Sequence, residues 1–301
     1  MSSSVNDEDA LRVGIDLGGT ASRIVALDGV GGVVAERLVD TRSFAVGDAL
    51  TAAQRLIAQI QTVTDGRPLR GVGIGASGPI DAAGVIRNPD TLPEFTGMNL
   101  PVVVAAELGV PCVIESDADV FALGEFHLGA GRGVNSLVGV TLGTGVGGGV
   151  VNGGELLRGG DGLHPECGHI PTPGSPAPCY CGLENCWEQR ASRTALERLV
   201  AHRLGGIDLA AAAAAASDRD PDARAVFRDY GTAVGIGLAT LATLFRPEMI
   251  VIGGGSAPYL QLMMGGLRAA LNRRGSYLVP MEIVASELGV QAGAIGAATL
   301  V

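Results

Sequence analysis

One imidazole and three thiols fall within eighteen residues of this chain, at His169, Cys179, Cys181 and Cys186. Three thiolates and an imidazole form an established tetrahedral zinc set, with Zn–S near ~2.3 Å and no open position for catalysis. Gly168, Pro173, Gly174, Pro176, Pro178 and Gly182 supply the bends that four ligands on one short loop require. The alternative is three unrelated buried thiols. Cys112 and Cys167 fall outside the pattern and read as small buried residues. Five cysteines with three so close together suit a metal site in a reducing, cytoplasmic compartment better than a disulfide framework.

A second chemistry is written in glycine. The chain has 47 glycines in 301 residues, and they gather in short clusters after apolar runs. Three clusters close strands: Gly18-Gly19-Thr20, Gly143-Thr144-Gly145 and Gly253-Gly254-Gly255. A polyphosphate needs backbone N–H donors and hydroxyls at close range, and glycine removes the Cβ that would block its approach. Thr20 and Thr144 each add a hydroxyl, and Asp16 is placed to hold a magnesium ion through water. Any one turn reads equally well as a plain hairpin. Neither a Walker-type loop nor a Gly-x-Gly-x-x-Gly helix opening occupies these positions.

The elements that must carry these turns follow from pattern. Strands are expected at 11–16, 23–28 and 31–38, a helix at 49–63, and strands at 71–75 and 111–115. Val13–Thr20 and Val138–Gly145 are alike, each opening a β-meander, which points to two related halves about 125 residues apart. A long helix over 222–245, a strand over 248–252 and a small-residue helix over 291–301 complete the chain.

Composition narrows the function. Apolar residues are 47%, charged residues 17% and the net charge is −10, with no Lys/Arg run. This is a folded protein without the basic face or aromatic platform of a nucleic-acid binder, and no apolar stretch suits a membrane.

Glu166-Cys-Gly-His169, Cys179-x-Cys181-Gly182 and Cys186-x-Glu188 together resemble the zinc signature of the ROK (repressor, ORF, kinase) family. The three glycine turns resemble its nucleotide segments, and Cys186-Trp-Glu-Gln189 with Ala191-Ser192 is similar to its bacterial glucokinases. The resemblance implies an α/β, actin-like (ribonuclease H-like) duplicated two-domain fold, with sugar and ATP in the interdomain cleft. The expected division is 1–117 plus 289–301, a smaller domain, against 118–288, a larger one with the zinc loop. Asp117 aligns with the catalytic base; Ser116, Asp117, Asn88, Glu166, His169 and Glu188 with sugar contacts; and His169 with zinc as well. Asp16, Gly18, Gly19, Thr20, Gly143, Thr144, Gly145, Gly254 and Gly255 align with the ATP and Mg²⁺ site. The implied activity is phosphorylation of a hexose at the 6-hydroxyl, in a homodimer or homotetramer. A carboxylate at a strand's C-terminal end suits a base for phosphoryl transfer, the alternative for Asp117 being a helix N-cap.

The chain departs from the family's Asn-Asp-x-Asn at Ser116-Asp117-Ala118-Asp119, and places His164-Pro165 before Glu166. Ser116 is shorter than Asn and leaves room for another substituent or a water. His164 is a pocket residue or a solvent-facing lid residue. These departures admit an amino hexose (glucosamine, kanosamine), whose ammonium an acidic pocket would suit, or an N-acyl hexose (N-acetylmannosamine, N-acetylglucosamine). A sugar-responsive repressor would carry a DNA-binding segment before the first turn, where ten residues precede Leu11. A non-catalytic sugar-binding regulator is the remaining rival.

Overall fold

The computed structural model describes residues 10–45, 47–174, 178–273 and 281–301; the polar N-terminal residues 1–9 and the expected bend at Pro176 lie outside them. The chain forms two compact units. The first holds the described residues up to Gly133, Leu156–Pro165 and Glu287–Val301; the second holds Val134–Glu155 and Glu166–Ser286. The division expected after residue 117 therefore falls after Gly133, and the first unit is not the smaller one. The reason is packing: the helix that begins at Asp117 lies against the C-terminal helix and the first sheet, and so stays with that unit.

In the first unit, β1 (Leu11–Leu17), β2 (Ala21–Leu27) and β3 (Val33–Asp40) form a meander. Helix α1 (Ala49–Thr64) leads to β4 (Leu69–Ala76), and α2 (Leu100–Leu108) to β5 (Cys112–Ser116) and α3 (Asp117–Leu128). The sheet order is β3-β2-β1-β4-β5, with β1–β2 antiparallel and β1–β4 and β4–β5 parallel. Strand alternation gives each face its task. Leu11, Val13, Ile15 and Leu17 pack with Leu56, Ile57 and Ile60 of α1. The opposite face carries Gly14 and Gly73, where an added Cβ would lie 1.9 Å and 1.7 Å from carbonyl oxygens of Ala294 and Ala297. Only glycine lets that helix lie directly on the strands.

The second unit repeats the plan with β6 (Ser136–Leu142), β7 (Val146–Asn152) and β8 (Glu155–Leu156). Helices α4 (Glu188–Ala191), α5 (Arg193–Arg203), α6 (Leu209–Ser217) and α7 (Pro221–Phe245) precede β9 (Met249–Gly253). Then come α8 (Leu260–Asn272) and β10 (Glu282–Ala285), and α9 (Ala292–Ala298) closes the first unit. The order β8-β7-β6-β9-β10 reproduces β3-β2-β1-β4-β5, and the pairing senses of β6–β7, β6–β9 and β9–β10 match their counterparts. The eight-residue likeness between 13–20 and 138–145 is thus the visible part of a structural duplication. Trp187 is fully buried in this unit's core, its Nε1 donating to the Ala233 carbonyl at 3.0 Å, and its ring fills the place of a side chain at Gly237. No described helix is long and apolar enough to cross a membrane.

Candidate active site

In the first unit the site grows out of strand ends. Residues Ala76 and Ser116 are paired across β4 and β5. The next residues, Ser77 and Asp117, emerge side by side, and Ser77 Oγ donates to Asp117 Oδ2 at 2.7 Å. Asn88 Nδ2 donates to the Ser77 carbonyl at 2.9 Å, which fixes the turn after β4. That turn holds Gly78 at φ +84°, where a side chain would strike Asn88 Nδ2. Asp117 is the first residue of α3 and not its cap: Ser116 is the N-cap, its Oγ accepting from Ala118 N at 3.3 Å. Asn88 is therefore joined to Asp117 through Ser77, and Ser116 supports the helix that presents Asp117.

Asp16, at the end of β1, belongs to the same neighbourhood. Its pKa is pushed up to about 7, first by burial and then by the charge of Asp117, against the opposing pull of Arg23. The Gly18-Gly19-Thr20 turn beyond Asp16 is held by Thr41 Oγ1, which donates to the Gly18 carbonyl at 2.6 Å. Gly19 lies against Thr91, and Thr20 is exposed at the tip.

Two residues that pattern alone did not single out complete this half. Ser77 is one. Arg158 is the other: its Nη2 lies 2.7 Å from Glu115 Oε2 and its Nη1 2.7 Å from Asp119 Oδ2. Burial raises Asp119 to about 6 against Arg158 and His164. His164 is half-buried. With Ser116, Glu115, Asp81 and Leu163 it lines a cavity of about 370 Å³ beside β5.

The second unit carries the remaining candidates. Gly143-Thr144-Gly145 joins β6 to β7, and Gly254 follows β9 at φ +75°, packed on the backbone of Leu142. The start of α5 meets the same turns: Arg193 N donates to the Gly143 carbonyl at 2.8 Å, and Thr194 Oγ1 to that of Thr144 at 3.0 Å. Gly255 lies against Arg193, and Thr144, like Thr20, is exposed at its tip. Glu188 is buried, its Oε2 accepting from Val146 N at 3.0 Å and filling the space a side chain at Gly145 would need. Glu166 is exposed, with Oε2 4.0 Å from His169 Nε2.

His169, Cys179, Cys181 and Cys186 place their ligand atoms within 4.8 Å of one another. Cys179 Sγ lies 3.5 Å from His169 Nδ1, and Cys181 Sγ 3.5 Å from Cys186 Sγ. A tetrahedral ion with metal–sulfur bonds of ~2.3 Å separates its sulfurs by roughly 3.8 Å, so these donors fit one such ion with small adjustments. Burial pushes the Cys186 thiol up to about 12, while the Leu183 backbone N–H holds the exposed Cys181 thiol below its ordinary value. Gln189 Nε2 reaches Cys179 Sγ at 3.6 Å as an outer partner. Trp187 anchors this loop in the core from between Cys186 and Glu188.

The ROK family model matches residues 12–301. The chain is 34% identical to the glucokinase of Thermotoga maritima, over 96% of each chain. The chain belongs to the ROK family. Among solved structures it is similar to a ROK family glucokinase from Streptomyces griseus in complex with glucose and AMPPNP (TM-score 0.80, 32% identity, 97% of this chain and 99% of that one). It is also similar to a ROK hexokinase from Thermus thermophilus (TM-score 0.81, 33% identity, 96% of each). The fold is the actin-like α/β fold of ROK kinases, and the duplication seen in both sheets is its hallmark.

The raised Asp16 carboxyl has a measurable consequence. Between its ordinary value of 3.8 and about 7 the folded protein keeps a proton that the unfolded chain has released, so stability falls as pH rises through that window. Asp16→Asn is expected to flatten this dependence, melting above wild type at pH 8 and close to it at pH 4 by calorimetry. A variant that melts below wild type at pH 8 would show that Asp16 is not held against its charge.

Proposed function

We propose that this protein is an ATP-dependent hexose kinase of the glucokinase kind, transferring the γ-phosphoryl group of MgATP to the 6-hydroxyl of the sugar. The observation that carries the reading is Asp117. It stands at the end of a parallel strand with one carboxylate oxygen held by Ser77, in a chain a third identical to glucokinases over nearly its whole length. Phosphoryl transfer asks for an aligned acceptor oxygen, charge neutralisation and a carboxylate to take the hydroxyl proton. Asp117 takes that proton, and Ser77 fixes the direction from which it does so. Glycine turns at Gly18–Thr20, Gly143–Gly145 and Gly254–Gly255 approach the phosphates, and Asp16 faces the magnesium ion of the nucleotide. Glu166, His169 and Glu188 hold sugar hydroxyls. The glucose and AMPPNP bound by the Streptomyces griseus relative support both ligands.

His169, Cys179, Cys181 and Cys186 would hold a structural zinc ion, which supplies rigidity and not an open catalytic position. The Nδ1 of His169 faces Cys179 Sγ, while its Nε2 lies between Tyr180 Oη at 3.4 Å and Glu166 Oε2 at 4.0 Å, so a metal on the first nitrogen leaves the second to a hydrogen bond with one of these or with the substrate. A neutral hexose fits better than an amino hexose: Glu115 and Asp119, the carboxylates on either side of Ser116-Asp117, are both already engaged by Arg158. Assembly as a homodimer or homotetramer in the cytoplasm rests on the family resemblance.

The test is a coupled assay with ATP over glucose, mannose and the amino and N-acyl hexoses. Glucose is expected to be the best acceptor, and Asp117→Asn to lower kcat by at least about 10²-fold while still binding glucose by calorimetry. Near-normal turnover by that variant would remove Asp117 from the chemistry. Metal analysis should find one zinc ion per chain. Stripping it, or Cys179→Ser, should weaken glucose binding by calorimetry before nucleotide binding changes; glucose binding that survives zinc loss intact would separate the two sites.

A further inference from the structure

The two carboxylates that bracket the Ser116-Asp117 pair are both taken by one side chain. Glu115 is the second-last residue of β5 on one side and Asp119 sits in the first turn of α3 on the other. Arg158 reaches both at 2.7 Å with separate nitrogens, and Nη1 also donates to the Leu157 carbonyl at 3.0 Å. Asp119 is 0% exposed, and its Oδ1 has no hydrogen-bond partner among the described residues, so the Arg158 bond is what compensates its burial. A planar guanidinium spans two carboxylates in a fixed geometry that an ammonium cannot copy.

Charge makes the arrangement consequential. Glu115, Asp117 and Asp119 crowd one strand-to-helix junction, with Asp16 close enough to feel Asp117. Without the guanidinium, a buried carboxylate oxygen would lose its hydrogen-bond donor, and the like charges on both sides of Asp117 would lose their counter-charge. The end of β5 and the first turn of α3, which carries Asp117, would lose the side-chain link that joins them.

We infer that Arg158 is a positioning residue for phosphoryl transfer: it staples the end of β5 to the start of α3 and so fixes the direction of Asp117. The role rests on the kinase reading above. Asp119 and Arg158 form a bonded pair, so removing both charges together should cost less than removing the cation alone.

The experiment compares wild type, Arg158→Gln, Arg158→Lys, Asp119→Asn and the double variant Asp119→Asn/Arg158→Gln with glucose and ATP. Each protein is also followed by thermal melting. A misplacement of a reacting group by an ångström can cost about 10²-fold in rate, and a kcat loss of that order is expected for Arg158→Gln, with KM for ATP within about twofold of wild type. Arg158→Lys, which keeps charge but not the fork, should lie between the two. The double variant should recover a large part of what Arg158→Gln loses. If Arg158→Gln fails to fold, Arg158→Lys and the double variant decide. A wild-type kcat in Arg158→Lys, an Arg158→Gln variant that folds and keeps kcat within about threefold, or a double variant no better than Arg158→Gln would overturn the role, since a bonded positioning pair predicts otherwise. A wild-type protein inactive on every hexose would overturn the kinase reading itself, and this role with it.

Discussion

The register between two parallel strands governs how Asp117 is presented in the first unit. Pairing Ala76 with Ser116 across β4 and β5 brings Ser77 and Asp117 out of the sheet together, 2.7 Å apart at their oxygens. A slip of one residue would send one side chain to the opposite face and end the contact. The sheet is held in that register from behind by α9, whose backbone rests on Gly14 and Gly73 without intervening side chains. Glycines within the strands thus serve the packing of the sheet, apart from those in the turns.

The second governing fact is charge. Asp16, Glu115, Asp117 and Asp119 are concentrated in one unit, with Arg23 and Arg158 set against them. Arg158 pairs with the two carboxylates that flank Asp117, while the charge of Asp117 disfavours that of Asp16. That leaves the cost of like charges where a magnesium–nucleotide complex would relieve it. The chain's overall acidity accordingly reflects local chemistry at this site as well as solubility.

What the sequence disclosed and what it hid divide along the distance of the interactions. The Cys3His cluster was legible because its ligands are neighbours in the chain and their types are specific. The hairpins of the duplication were legible from alternation and glycine turns. Ser77 was not, because nothing local in Ala76-Ser77-Gly78-Pro79 tells which strand end lies beside it. The C-terminal end of β4, a parallel neighbour of β5, was the signal that would have found it. Arg158 was hidden for the same reason, some forty residues from the carboxylates it bridges. The domain boundary was placed too early because α3 reads as the start of a new segment, whereas its glycine contact with α9 at Gly124 ties it to the first unit.

The central claim is that Ser77 acts on catalysis by holding Asp117. The most direct measurement is a double-mutant cycle on kcat for glucose phosphorylation with Ser77→Ala and Asp117→Asn. Ser77→Ala is expected to lower kcat about tenfold in the wild-type background, the order of one lost hydrogen bond to a charged group, and to have no effect when Asp117 is already Asn. An equal loss in both backgrounds would mean that Ser77 does not act through Asp117, and the assignment of the base would lose its structural support.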